Sequence, residues 1–90
     1  MDKITVKHIS VNVIQEKGIR SWLTWSCDKS EFPWEYSERE SCYIMEGQVE
    51  VKTNSGDTVS FGAGDFVVFP QGLKCTWKVK QAVYKHFLFG

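Results

Sequence analysis

The feature that most constrains this chain is a period of two. Apolar and polar residues alternate in short runs, and most runs end in Gly, Pro, Asn or Asp. "EFPWEY" puts Phe32, Trp34 and Tyr36 in one phase, and "LKCTWKV" does the same with Leu73, Cys75, Trp77 and Val79. A strand turns successive side chains to opposite faces, so such runs predict strands with one face packed and one solvated. "TVSF" and the fully apolar "FVVF" add two more, with "GAGD" between them and "PQG" after. "SWLTWSC" is a short aromatic run, and "AVYKHFLF" ends the chain. "NSGD" at 54–57 is a turn cluster of the hairpin kind. The N-terminal "ITVKHISVNV" also alternates, through Ile4 and Val6 and then Ile9, Val11 and Val13, with one phase slip. The best helix candidate, "IQEKGIRSW", is interrupted by Gly18. Seven to nine short strands predict an all-β sandwich or barrel with little or no helix.

Length and charge narrow the class. Ninety residues suffice for one domain, residues 1–90, and the 42% hydrophobic content with four Trp and six Phe supplies a compact core. Eleven basic and eleven acidic side chains cancel, with no block of one sign, so neither nucleic acid nor an anionic membrane is an expected partner. No apolar run approaches the roughly 20 residues of a membrane helix. "MDKITVKHIS" has no signal-peptide character, so the expected location is the cytoplasm, or an organelle if a targeting segment has been removed. Cys27, Cys42 and Cys75 are odd in number and widely spaced; they are expected to be reduced, mostly buried thiols.

Two motifs stand out. In "ESCYIMEGQVEV", Glu40 precedes Gly47 by seven residues. In "GAGDFVVFPQGLKCTW", Gly64 is followed after five residues by Pro70, and after one more by Gly72. This pair resembles the motifs of small single-domain, RmlC-like cupins, in the group that resembles the cupin domain of ureidoglycine aminohydrolase. The resemblance covers nearly the whole chain and is strongest from Glu31 to Val79. It implies a double-stranded β-helix, or jelly-roll barrel, with glycine and proline at its corners. Gly47 is expected to close a strand in a turn.

The resemblance also implies where a metal would sit. Such cupins usually use two His flanking one residue, then a Glu, and a third His after the second motif's last Gly. Those positions hold Trp34, Tyr36, Glu40 and Cys75. The Gly that often opens the first motif falls on Asp28, and the Asn that often closes the second falls on Val79. An indole N–H cannot ligate, and a phenol is a good ligand only once deprotonated. No cofactor and weak or no specific metal binding are therefore expected, although the family allows a divalent transition metal.

If the implied fold holds, the phased residues point inward and line a pocket of Trp34, Tyr36, Glu40, Cys75 and Trp77. Glu40 is the candidate acid/base, because a carboxylate inside a small barrel is costly without a use or a partner. The candidate cation beside it is Lys85, in phase with Val83 and Phe87, or His86 on the opposite face. His8 is expected at the surface, and Lys52, Lys74, Lys78 and Lys80 on a solvated face. Three functions remain: binding of an unidentified small molecule, a metal-dependent aminohydrolase-like reaction, or a non-catalytic module. An outward apolar face carrying Tyr43 and Met45 makes a homodimer the expected assembly.

Overall fold

In the computed structural model, which describes residues 3–90, seven strands and one short helix follow in order. They are β1 Thr5–His8, α1 Val11–Lys17, β2 Leu23–Cys27, β3 Ser30–Glu35, β4 Glu40–Thr53, β5 Thr58–Gly62, β6 Asp65–Phe69 and β7 Lys74–Phe89. A 3-10 turn, Ile19–Ser21, joins α1 to β2. The all-β expectation holds.

Two long strands build the architecture. β4 and β7 run antiparallel along their whole length, from Glu40↔Phe89 to Thr53↔Cys75. At one end they are flanked by β6, β1 and β2; at the other, by β5 and β3. Each thus belongs to two sheets that close over a common core, the arrangement of a jelly roll.

The change of sheet happens at Gly47. The β4–β7 register shifts between Ile44 and Val49, so this segment is bulged. Before the bulge, Glu40, Cys42 and Ile44 are buried; after it, Val49, Val51 and Thr53 are. The inward phase passes from even to odd numbers, while β7 keeps Cys75, Trp77, Val79, Val83 and Lys85 inward. Gly47 has φ 103°, and a Cβ there would lie 2.5 Å from the Ala82 carbonyl oxygen and 2.7 Å from Val83 Cα. Only glycine fits. The expected turn after Gly47 is therefore a bulge inside one strand of 14 residues.

The N-terminal alternation ends early. β1 stops at His8, and Val11 and Val13 lie in a helix rather than a strand. Ser10 caps it: its side chain accepts from the Val13 N–H at 3.5 Å. Gly18 terminates it in the left-handed region, φ 65°, with its N–H turned to the Gln15 and Ile14 carbonyls. The glycine that interrupts the helical pattern is the helix's C-terminal cap.

This helix covers the outer face of the first sheet. Ile14 and Ile19 form a small cluster with Tyr43, against which Trp22 and Phe66 pack. Tyr43 is consequently 9% exposed and offers no outward apolar surface, whereas Met45 remains 39% exposed. The main core lies between the sheets. Tyr36 stacks on Phe69 at 4.6 Å, and Phe61 and Trp77 meet Phe69 at 5.9 and 5.7 Å.

Candidate functional site

The site's polar floor lies on the inward face of the sheet formed by β1, β6, β4, β7 and β2. Glu40 begins β4 and is 3% exposed; Lys85, on β7, is 5% exposed. Lys85 pairs across the ladder with Ile44, and Glu40 lies two inward positions beyond, past Cys42. The long lysine stem spans that distance, and Nζ donates to Glu40 Oε2 at 2.7 Å. The ammonium also lies over three ring faces: Trp77 at 4.8 Å, Trp25 at 5.0 Å and Phe87 at 5.6 Å. A buried charge is tolerable only with such partners.

Above the pair lies a half-open cavity of about 200 Å³. Trp25, Phe32, Trp34, Tyr36 and Trp77 supply its aromatic walls, with Phe87 and Phe89 from the end of β7. Trp34 and Phe89 are 49% and 45% exposed, which places them at the mouth. Tyr36 is fixed deeper: the Trp77 Nε1–H donates to its hydroxyl at 3.0 Å. Burial, then the Glu40 carboxylate, hold the Tyr36 phenol well above its ordinary range, so it stays protonated.

Most of the expected pocket residues converge here, with two exceptions. Cys75 does not line the cavity. Its short side chain stays in the core cluster with Tyr36 and Phe69, and Sγ contacts the Trp34 carbonyl at 3.7 Å. Burial pushes this thiol up to about 11, which removes it as a nucleophile near neutral pH. Between the two candidate cations the strand phase decides for Lys85. His86 is buried on the outer face, paired in register with Tyr43. His8 is exposed beside Asp65, at 3.4 Å, and Lys52, Lys74, Lys78 and Lys80 are exposed.

Trp25, Phe32, Phe87 and Phe89, none of them at a motif position, complete the cavity. Their signal was present in the phase. Phe32 alternates with Trp34, and Phe87 and Phe89 with Lys85. Trp25 is the register partner of Lys85.

The residues at the usual ligand positions do not suit a metal ion. The Glu40 carboxylate is engaged by an ammonium, the Tyr36 phenol is protonated, Trp34 offers no lone pair in the ring plane, and Cys75 faces inward but does not line the cavity. Among the described residues no three His, Cys, Asp or Glu side chains gather as a metal site.

Comparison with known proteins agrees with this fold. No curated protein sequence matches the chain. A DUF861-family protein of Thermotoga maritima superposes with a TM-score of 0.96 at 38% identity, over 98% of this chain and 100% of that one. An ethanolamine utilization protein Q of Salmonella typhimurium superposes with a TM-score of 0.67 at 24% identity, over 73% of this chain and 53% of that one. The Clostridium difficile EutQ protein gives a TM-score of 0.67 at 18% identity, over 96% of this chain and 66% of that one. Over residues 14–87 the sequence matches the EutQ-like cupin domain, and the chain belongs to that family.

Proposed function

We propose that the chain is a small-molecule-binding cupin that uses the cavity over Glu40 and Lys85. The observation that carries this reading is the combination of an aromatic hollow with a single polar floor. Apolar walls with a few convergent polar groups are the usual form of a small-ligand site. Trp34 and Phe89 expose ring surface at the mouth that a ligand would cover. Glu40 is the group placed to touch a ligand, and if chemistry occurs it is the acid or base. The reading requires no resident metal. The metal-dependent aminohydrolase-like alternative has one of the four ligand types, Glu40, in its favour.

The test uses Trp34→Ala, since truncating a half-exposed ring leaves the core intact. The protein is titrated with one-ring metabolites at millimolar concentration, and binding is read from tryptophan fluorescence and the thermal midpoint. At least one compound is expected to bind and raise the midpoint, and Trp34→Ala is expected to weaken it at least about tenfold with folding unchanged. A cavity that takes none of them overturns the reading. Turnover of ureidoglycine-type substrates on adding Mn would favour the alternative.

A further inference from the structure

The floor of the cavity is electrically balanced. Glu40 and Lys85 face each other at 2.7 Å, both almost fully buried, and their charges cancel. A ligand carrying a net charge would leave one charge uncompensated among aromatic walls, which is costly. The pair nevertheless keeps hydrogen-bonding capacity. An ammonium has three donors and a carboxylate about four lone-pair sites. Among the described residues Lys85 is the side-chain partner of Glu40, and it engages Oε2. Oε1 therefore has acceptor capacity, and Nζ has donors turned to ring faces rather than to acceptors.

Size and shape restrict the ligand further. A dry cavity of about 150 Å³ is enough for a benzene ring. The about 200 Å³ found here holds one ring and one small substituent. The walls are flat ring faces, which favour a planar guest by stacking.

Building on the binding reading above, we infer that the cavity takes a neutral, planar, one-ring ligand with an amide-type edge. Its N–H donates to Glu40 and its carbonyl accepts from Lys85. Aromatic carboxamides, lactams and cyclic imides present that edge. A donor beside an acceptor matches an acceptor beside a donor, and no net charge enters the cavity.

The test compares four probes of one size: benzamide, benzoate, benzylammonium and toluene. The readout is the indole N–H resonances of the ¹⁵N-labelled protein. Trp25, Trp34 and Trp77 line the cavity, while Trp22 packs on Phe66 at the outer face and serves as an internal control. Benzamide is expected to move the three cavity indoles and leave Trp22 still. The two charged probes and toluene are expected to bind at least about tenfold more weakly, a difference of about 1.4 kcal/mol. Glu40→Gln removes the negative member and should turn the preference towards benzoate. If that variant does not fold, the ranking on the unaltered protein decides alone.

Benzoate, benzylammonium or toluene binding as well as benzamide overturns the inference and leaves the binding reading standing. So does an unchanged preference in folded Glu40→Gln. If none of the four moves a cavity indole, the cavity takes no one-ring ligand and the binding reading falls as well.

Discussion

Lys85 and His86 are consecutive on β7, yet they occupy two different kinds of interior. Lys85 enters the cavity side, where a carboxylate and three rings receive its charge. His86 enters the helix-covered side, where among the described residues its Nδ1 has no hydrogen-bond partner. A full charge stays buried only with a counter-charge, whereas a buried ring nitrogen without a partner forfeits one hydrogen bond. Two neighbours with similar exposure thus carry different energetic histories. The inner side is organised around polarity, and the outer side tolerates it.

The sharpest way to break this comparison is to remove one member of the inner pair. Lys85→Met leaves the Glu40 carboxylate buried without its partner and is expected to cost about 3–5 kcal/mol in urea denaturation. Replacing both, as Lys85→Met with Glu40→Leu, is expected to recover most of that loss. Apolar groups of similar volume often replace a buried pair at no cost. A single-variant cost below about 1 kcal/mol would mean that the pair behaves as a solvated surface pair, and the contrast with His86 would collapse.

The second expectation concerns how one strand serves both sheets. Gly47→Ala places a methyl group against the Ala82 carbonyl and Val83 Cα, at a φ that L-residues avoid. A loss of about 2–3 kcal/mol is expected from strain and displacement together. It should be accompanied by amide shift changes on both sides of the bulge. A variant as stable as the parent would show that the inward phase does not depend on this bulge.

That bulge also explains what could be seen in the sequence and what could not. Strands announced themselves because residues such as Phe32, Trp34 and Tyr36 repeat in a fixed phase. Glu40 and the two glycine motifs marked the site's position because backbone corners impose residue types. The phase of β4 was ambiguous, since "CYIMEG" is apolar on both faces. The structure shows the reason: the even positions face the barrel core, and Tyr43 lies under α1. The helix itself was hidden because Val11 and Val13 also fit a strand, and its only firm signals are Ser10 and Gly18 at its ends. The choice between Lys85 and His86 needed a register that alternation alone does not supply. Cys75 had the right phase but a side chain too short to reach the cavity.

A third, smaller effect addresses the outer side directly. His86→Leu removes the unpartnered nitrogen and keeps an apolar body against Tyr43. A gain of about 1–2 kcal/mol is expected, the cost of a buried group without its hydrogen bond. Lost stability would mean that Nδ1 has a partner in solution and that the outer side is as polar by design as the inner one.

The smallest effect separates the thiols of the inner side from the one near the edge. Burial pushes Cys42 up to about 12; the Lys85 ammonium opposes this and the Glu40 carboxylate adds to it. Cys75 is raised to about 11 by burial alone. Both folded thiols hold their protons where the unfolded chain, with an ordinary thiol near 8.5, has begun to lose them. Their contribution to stability is therefore complete below about pH 8.5 and is lost as pH rises towards the folded values. The expected decline is at most about 1.4 kcal/mol per pH unit for each thiol across that window. Alkylation by iodoacetamide of the native protein at mildly alkaline pH should mark Cys27, which is partly exposed, well before the other two. Cys42 and Cys75 should react only as fast as the barrel opens. Prompt labelling of Cys42 in the native state would mean that water reaches the thiol beside the Glu40–Lys85 pair. The low-polarity setting on which the proposed preference for neutral ligands rests would then be lost with it.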